Sequence, residues 1–441
     1  MIEHIKTVVL FLLIAMSLIL TLAIWNYQPH YEPLNQMDYL EETQLDGEQR
    51  SLRSLIKPEQ IIFHNFTESR QVRTPNEMNE YYDEILKWDF ASIDSYMTNK
   101  RSIWQQAMEV IYPTEIPIDL ITNIFSIDEK TSENNNKTFN RVYFQLSQST
   151  QDIRVTFSSD KHDEVLNGVI QSSSAYQFIR QKMNDNTTEP VRKYEINDQL
   201  TLYLPVYEKE VNSHTLLTDS VDLLPLRNVL FKNPSLVRAM TSSGFNEDEY
   251  YTDGTRALTT KKVFRNDRIM EYVNPLSSEA ESMLMRDVIR RSISFINDHY
   301  GWTDDYLLDE INIQNNTVKY RMYFENYPIF ELNEITTIEQ SWRNNELFEM
   351  KRPLFQTSTQ FQNQQQIQQI QSGDYIVHLI ENNSEAINRN YIEDIRIGYK
   401  LETRSEISNV LILKPEWHIK YRGEWLPISY FTSMLLNREG N

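Results

Sequence analysis

One four-residue fragment has the residue types and spacing of a nucleophilic site. Ser54-Leu55-Ile56-Lys57 matches the S-x-x-K motif, in which a lysine can activate a serine nucleophile. Pro58 follows at once and would disturb the helix on which such a motif must lie. Neither S-D-N nor K-T-G occurs further along the chain. A Ser-Lys hydrolase is therefore an alternative that rests on this fragment alone.

The other residue types that support catalysis or metal binding are scattered. The 8 histidines form no pair at helical or zinc-finger spacing, and the chain has no cysteine. Acidic clusters at 247–249 and 304–310 lack the alternating oxygen ligands and central glycine of a calcium loop. The usual serine-hydrolase, zinc-protease and nucleotide-binding motifs are missing from the sequence. We therefore predict a protein that is not an enzyme, with no catalytic residue, cofactor or metal.

The composition and charge of the chain limit the kinds of partner that the protein can bind. The chain has 43 lysine and arginine residues against 63 acidic ones, a formal net charge of −20. A binder of nucleic acid or anionic lipid needs clustered positive charge, so we expect no nucleic-acid partner. With 40% apolar and 12% aromatic residues, the 441-residue chain can build two or three domains with sizeable cores.

An uncharged apolar segment near the N-terminus predicts a membrane anchor. Val8–Trp25 is close to the roughly 20 residues that a helix needs to cross a bilayer. It is longer than the roughly 7–15 apolar residues of a cleaved signal peptide, so we expect it to be retained. Lys6 precedes it and acidic residues follow it, which places the N-terminus in the cytoplasm. The sequence thus predicts a single-pass cell-membrane protein whose bulk is extracytoplasmic.

The anchor also carries a candidate surface for contacts within the membrane. Ser17 and Thr21 lie four residues apart, and small residues at this spacing let helices pack closely in lipid. Plain anchoring, which any apolar sequence can supply, is the alternative. The candidate surface comprises Phe11, Ile14, Ser17, Leu18, Thr21, Ile24 and Trp25.

The rest of the chain predicts an α+β fold in which antiparallel sheets carry packed helices, preceded by the N-terminal transmembrane helix. Period-two alternation indicates strands: Val318, Tyr320 and Met322 face one way, with Lys319 and Arg321 facing the other. We divide the chain into an N-terminus with anchor (1–28), an acidic stalk (29–58), an N-terminal exported domain (59–190), a central α+β domain (191–275) and a C-terminal α+β domain (276–441).

Four local patterns predict particular elements. Apolar residues spaced by three and four predict one or two helices over residues 76–112. Ser278-x-x-Glu281 is a capping box that opens a helix, which Gly301 should stop. The glutamine-rich stretch Gln360–Gln371 favours an exposed helix. Tyr250–Thr255 indicates a hairpin turn.

Several short segments together resemble one known family. They are Glu3-His4-Ile5-Lys6, Trp25-Asn26-Tyr27-Gln28-Pro29, Tyr250–Arg256, Glu271–Pro275, Tyr320–Phe330 and Pro415–Ile419. In their order, in chain length and in the apolar anchor, they resemble the YycH family. Its members are extracytoplasmic regulators of the WalK/WalR (YycG/YycF) cell-wall two-component system of low-GC Gram-positive bacteria.

The resemblance implies a function as well as a fold. It implies a three-domain exported region whose later domains are related to each other and to YycI. It also implies a membrane complex with a YycI-like protein and a WalK (YycG)-type sensor histidine kinase, formed largely through transmembrane helices. The sign of the regulation differs between members, and no catalytic residues carry over. A cell-envelope glycan-binding module with exposed aromatics such as Trp302 or Trp425 is a further alternative.

Overall fold

Antiparallel strands dominate the computed structural model of the chain. It describes residues 13, 16–17, 44–93, 97–98, 106–127, 137–183, 185–241, 248–263, 268–275, 283–360, 366–403 and 409–439. Its α-helices are α1 (Leu52–Leu55), α2 (Pro75–Ile85), α3 (Ile121–Ile124), α4 (Ser173–Lys182), α5 (Leu223–Leu230), α6 (Met285–Asp298), α7 (Gly373–Asn382) and α8 (Ile428–Glu439).

The strands fall into two groups along the chain. The first group is β1 (Gln60–Asn65), β2 (Glu68–Val72), β3 (Ser92–Ile93), β4 (Met97–Thr98), β5 (Gln106–Pro117), β6 (Thr138–Leu146), β7 (Ile153–Ser158), β8 (Glu164–Ile170), β9 (Thr188–Glu195) and β10 (Thr201–Pro205). The second group is β11 (Lys209–Ser220), β12 (Arg238–Thr241), β13 (Glu249–Thr252), β14 (Ala257–Lys262), β15 (Arg268–Val273), β16 (Tyr306–Asn312), β17 (Thr317–Phe324), β18 (Tyr327–Phe330), β19 (Thr337–Arg343), β20 (Glu346–Pro353), β21 (Phe355–Gln360), β22 (Gln366–Ile370), β23 (Ile392–Thr403), β24 (Val410–Tyr421) and β25 (Glu424–Pro427).

Each group forms one sheet. The first sheet has the order β10-β9-β2-β1-β5-β6-β7-β8-β3, and β4 also pairs with β8. The second runs β12-β13-β14-β15-β20-β19-β17-β18-β23-β24-β11-β21, with β16, β22 and β25 paired to β17, β11 and β24. The β18–β23 pair is parallel, whereas the other pairs between the described strands are antiparallel. The α+β class predicted from the sequence is confirmed.

The predicted domain borders do not coincide with sheet borders. Strands β9 and β10, around residues 188–205, still belong to the first sheet, and β11–β15 share the second sheet with all later strands. Thr43–Asn441 forms one compact unit. The division at 190 and 275 stays a prediction.

The first sheet is covered by helices whose ends the sequence specifies. At the start of α2, Thr74 accepts from the backbone N–H of Glu77, while the Glu77 side chain accepts from the Thr74 N–H. Pro75 occupies the first turn, where its missing N–H costs nothing. The buried face of α2 is Tyr81, Tyr82 and Ile85. This part of the helix predicted over 76–112 is confirmed.

The prediction that helical structure continues toward residue 112 is wrong. Within the described residues up to 112, α2 is followed by β3, β4 and then β5. Strand β5 lies between β1 and β6, and its residues Ala107–Tyr112 are all buried. A strand covered on both faces has a continuous apolar run instead of an alternation, and periodicity cannot separate it from a helix.

Helix α6 presents the predicted face to the core of the second sheet. Its buried residues are Met285, Val288, Ile289, Ser292, Ile293 and Ile296. The predicted capping box at 278–281 lies outside the described residues, and Leu284 occupies the N-cap without a side-chain bond. At the other end, Gly301 N–H donates to Ile296 O at 2.8 Å and Tyr300 N–H to Asn297 O at 3.1 Å. This is a Schellman motif with Tyr300, not Gly301, in the left-handed region at φ 54°.

The glutamine-rich stretch is not helical where the structure describes it. Its described ends belong to β21 and β22, which pair with β11 through Gln360 opposite Leu216 and Ile370 opposite Lys209. The ladder of backbone hydrogen bonds to β11 is a tertiary interaction that the local pattern could not predict. The hairpin at 250–255 is confirmed, with β13 paired to β14 and Gly254 at φ 92°.

No helix in the portion of the chain that the structure describes is long and apolar enough to span a membrane.

Truncation of Ile296 tests the burial of the α6 face. Ile296 is fully buried, so Ile296→Ala should lower the free energy of unfolding by about 2–5 kcal/mol. Arg291→Ala, on the exposed face of the same helix, should change it by no more than about 0.5 kcal/mol. Urea denaturation of the full chain, followed by tryptophan fluorescence, measures both. Equal losses from the two variants would show that the face is not buried as described.

Candidate functional site

The structure describes little of the surface predicted within the anchor. Ser17 has helical conformation and is exposed. The other predicted contact residues lie outside the described residues: Phe11, Ile14, Leu18, Thr21, Ile24 and Trp25. Their role in helix packing stays a prediction.

The S-x-x-K fragment does not form a nucleophile with its base. Helix α1 ends at Leu55, before Lys57, and the Ser54 hydroxyl donates to Ser51 O at 2.9 Å. The structure therefore gives the Ser54 hydroxyl a capping-type contact instead of a lysine partner. Within the described ranges, no group of three or more histidine and carboxylate side chains could hold a metal ion.

The stretch from residue 44 to 50, here called the junction segment, is bound to the loop that follows α6. Leu45 N–H donates to His299 O at 2.9 Å, and Glu48 N–H donates to Trp302 O at 3.1 Å. Leu45 is buried. This segment was predicted to belong to an acidic stalk, yet its backbone and one side chain are fixed to the second sheet.

Asn297, in the last turn of α6, ties the two segments together. Its Oδ1 accepts from Arg50 N–H at 2.9 Å and from Trp302 Nε1 at 2.7 Å, and its Nδ2 donates to Arg50 O at 2.9 Å. Its backbone oxygen accepts from Gln49 Nε2 at 3.2 Å. One amide side chain thus satisfies polar groups of the junction segment and of the loop at once.

Close backbone approach makes Gly47 necessary here. A Cβ atom at this position would lie 2.4 Å from Tyr300 O and 2.6 Å from Trp302 O. Both are backbone atoms, so no side chain can move aside. Arg50 closes the segment by donating to Asp305 Oδ1 and Tyr306 O, each at 2.8 Å.

Buried polar groups contact the loop that follows α6. The Arg352 guanidinium donates to Gly301 O at 3.1 Å and to Thr303 Oγ1 at 3.2 Å. Burial, aided by Arg352, lowers the pKa of His299 to about 3, so its ring is neutral. Burial also raises the pKa of Asp304 to about 6, although hydrogen bonds from Thr357 oppose the shift. The hydrogen bonds of Arg352 and Asp304 hold the loop in place.

The expectation that Trp302 or Trp425 is exposed is wrong. Trp302 is 1% exposed and contacts Tyr320 edge-on at a centroid distance of 4.9 Å. Trp425 is 7% exposed, and its ring centroid lies 4.5 Å from that of Phe330. Neither offers a stacking face to a glycan.

A group of charged side chains joins the two sheets. We call it the ion cluster: Glu59, Asp309, Arg321, Asp394 and Arg396. Arg396 Nε donates to Asp394 Oδ2 at 2.7 Å and lies 2.9 Å from Glu59 Oε1, just before β1. Arg321 Nε donates to Asp309 Oδ2 at 2.9 Å. Arg396 also reaches Pro113 O of the first sheet at 3.4 Å.

The cluster contains three carboxylates but two guanidinium groups. Burial raises the pKa of Asp309, but Arg321 and Arg396 outweigh it, so that the pKa lies below its usual value. For Glu59, burial prevails over the attraction of Arg396 and raises the pKa to about 8. We attribute the difference to Arg396, which is shared among three carboxylates while Glu59 receives no hydrogen bond from it.

Sequence reasoning missed both features. Gly47 was assigned to a stalk. The chain has 9 glycines, and such scarcity suggests that a glycine marks a special backbone position. Glu59 and Arg396 are too far apart in sequence for any spacing rule to pair them.

Comparison with known proteins matches both parts of the chain to one family. The family model described as YycH protein, N-terminal domain, matches residues 3–188, and that described as YycH protein, C-terminal domain, matches residues 199–434. The two-component system WalR/WalK regulatory protein YycH of Bacillus subtilis (strain 168) is 20% identical, over 99% of this chain and 98% of that protein. The crystal structure of YycH from Bacillus subtilis matches with a TM-score of 0.70 at 17% identity. It covers 87% of this chain and 99% of the crystallised one, and it supports the fold.

Gly47→Ala tests the junction. The new methyl group would overlap backbone oxygens, so the segment should detach and its amides should lose protection. Hydrogen exchange at Leu45 and Glu48 measures this directly. Gly254→Ala is the matched control, since it strains an exposed turn with open space around it. Unchanged protection at Leu45 in Gly47→Ala would contradict the described junction.

The pKa of Glu59 predicts a pH dependence. Because its folded pKa of about 8 exceeds the ordinary value of 4.5, the folded state keeps a proton that the unfolded state releases. Its contribution to stability is therefore complete below pH 4.5 and is lost as the pH rises to about 8. His299 acts in the opposite direction below pH 6.5, so the difference between variants is the informative quantity.

Urea denaturation at pH 5 and pH 8 measures that difference. Glu59→Gln should lose less stability than wild type between these values, because only the loss from Asp304 remains, whereas Glu68→Gln, on an exposed residue of β2, should lose as much as wild type. An equal loss in wild type and Glu59→Gln would show that Glu59 does not hold a proton in the folded state.

Proposed function

Because the chain belongs to the YycH family, we propose that it is a membrane-anchored regulator of a WalK (YycG)-type sensor histidine kinase that controls cell-wall metabolism. The observation that carries this proposal is the end-to-end match, over 99% of this chain, with a protein named as a WalR/WalK regulatory protein. Regulation requires neither a catalytic residue nor a cofactor in this chain.

The topology of the proposal follows from the sequence. The apolar segment 8–25 crosses the cell membrane once, with the N-terminus in the cytoplasm and the folded region outside. The kinase and a YycI-like membrane protein are the proposed partners. The proposed contact surface is the helix face with Phe11, Ile14, Ser17, Leu18, Thr21, Ile24 and Trp25.

The junction segment supports a route from the folded region to the anchor. Its hydrogen bonds to His299 O and Trp302 O begin at Leu45, which is buried, and on its N-terminal side the sequence continues through the acidic stretch to the apolar segment. A displacement of the loop after α6 would therefore displace residues 44–50 with it. A regulator acts only if it binds one kinase state better than another, and a difference of about 1–3 kcal/mol is typical of such coupling.

Co-purification from native membranes tests the proposal. The full-length protein is compared with a version whose residues 1–28 are replaced by an unrelated anchor. We expect a histidine kinase to be recovered with the native anchor alone, because the contacts lie in the membrane helix. Ser17→Lys, with insertion verified, should lower the recovery.

The two other possible results of the co-purification would change the proposal. Recovery with both anchors would move the contact to the exported region and remove the role of Ser17. Recovery with neither would contradict the regulator proposal.

A further inference from the structure

A cleft lies between the two sheets, beside the ion cluster. It encloses about 790 Å³ of space, part of it open to solvent, which lies within the usual range of small-molecule sites. Most of its wall is apolar and comes from both sheets. The wall includes Ile61 and Val72 of the first sheet, Met78 of α2, and Ile395 and Ile397 of the second sheet. An apolar chain in the cleft would therefore contact both sheets at once.

Hydrogen bonds between α2 and the turn that follows β17 fix one side of the cleft. Asn79 Nδ2 donates to Asn326 Oδ1 at 2.8 Å, and Asn326 Nδ2 donates to Asn76 Oδ1 at 2.7 Å. Asn326 itself lines the cleft, as does Met78 of α2. The cleft is therefore preformed, as small-molecule sites usually are.

The charged side chains that line the cleft are net positive. Arg73, Lys209 and Arg396 stand against a single carboxyl group, Glu59. Glu59 lies 2.9 Å from Arg396 Nε in an ion pair, and burial raises its pKa to about 8, so it is mostly protonated near pH 7. The whole chain has a formal net charge of −20, so this positive lining is a local property. It complements an anionic ligand.

Two of these cationic side chains can reach a ligand. Arg73 is exposed, and its guanidinium has no hydrogen-bond or ion-pair partner in the part of the chain that the structure describes. Lys209 Nζ donates to Arg73 O at 3.0 Å, which keeps the ammonium group beside Arg73. It also pairs with Glu189 Oε1 at 2.8 Å. Since an ammonium group has three donors, one remains for a ligand.

The polar groups of the wall disfavour a peptide ligand. Four lining residues are prolines, which have no N–H to donate: Pro58, Pro75, Pro205 and Pro328. Three lining amide side chains already donate within the protein: Gln60, Gln71 and Asn326. The backbone of a buried peptide would need such partners, whereas an alkyl chain needs none.

We propose that this cleft binds a small amphiphilic anion, a carboxylate with a short alkyl chain. The carboxylate pairs with the Arg73 guanidinium and accepts a hydrogen bond from Lys209, and the alkyl chain packs on Ile61, Val72 and Met78. A guanidinium can donate two parallel hydrogen bonds to a carboxylate, which fixes the head group at the end of the apolar wall.

Sodium hexanoate at pH 7 is the probe, titrated calorimetrically into the full-length protein in zwitterionic nanodiscs with empty nanodiscs as reference. We expect saturable binding to wild type. Acetate has the head group without the chain, hexanol has the chain without the charge, and hexylammonium has the opposite charge. Each of the three should bind at least about tenfold more weakly than hexanoate, because each lacks one of the two interactions.

Arg73→Gln removes the guanidinium and should weaken hexanoate binding by about tenfold, the usual effect of a lost hydrogen bond to a charged group. The exposed Arg73 side chain makes no described contact that the fold needs, so the variant should fold like wild type. Arg154→Gln is the matched control, since it removes an equal charge from an exposed position on β7 of the same sheet. It should bind hexanoate like wild type.

Four results would each overturn the proposal: no saturable binding of hexanoate, equal binding of hexylammonium, equal binding by Arg73→Gln, or a loss in Arg154→Gln as large as in Arg73→Gln. N-acetyl-leucyl-leucine carries the same carboxylate on a peptide backbone and should bind more weakly than hexanoate. Tighter binding of this peptide would overturn the assignment of an alkyl chain. None of these measurements involves the kinase, so the regulator proposal stands or fails separately.

Discussion

The path of the chain between residues 44 and 60 is the constraint on which the two halves of the molecule depend. The junction segment is fixed to the loop after α6 on the second sheet, through Asn297 and the close approach of Gly47. Helix α1 follows and contacts both α3 and β16. Glu59 then enters the ion cluster, and β1 begins the first sheet. A short stretch of chain thus contacts both sheets, so a relative movement of the sheets cannot leave it unaffected.

The ion cluster fixes the two sheets to each other at a cost in desolvation. Buried ion pairs often add less to stability than apolar residues of the same size, because each charge must first leave water. A third carboxylate that receives no hydrogen bond adds a further cost. Removing Arg396 would leave Asp394 and Glu59 without their guanidinium partner, whereas Asp309 would keep Arg321. The raised pKa of Glu59 agrees with this imbalance, because a protonated Glu59 leaves two carboxylates against two guanidinium groups.

Sequence patterns predicted the features that local interactions determine, such as the buried faces of β17 and α6. The alternation in β17 placed Val318, Tyr320 and Met322 in the core, and the spacing in α6 gave its buried face. The same alternation put Lys319 and Arg321 on the opposite face, and there Arg321 is 1% exposed and donates to Asp309. The largely buried β5 and the stretch from Gln360 to Gln371, whose described part lies in β21 and β22, were misread as helices for the same reason, since their tertiary partners decide their conformation. Neither Gly47 nor Glu59 could be recognised without the partners that the fold brings to them.

The most direct test is the autophosphorylation of a WalK-type kinase in proteoliposomes that also hold either the wild-type chain or Gly47→Ala. Both chains must be inserted in equal amounts, and both must co-purify with the kinase. If the junction segment couples the folded region to the anchor, the wild-type chain will change the autophosphorylation rate and the variant will change it much less. The same change with both chains would contradict this coupling, because regulation would then not need the attached junction segment.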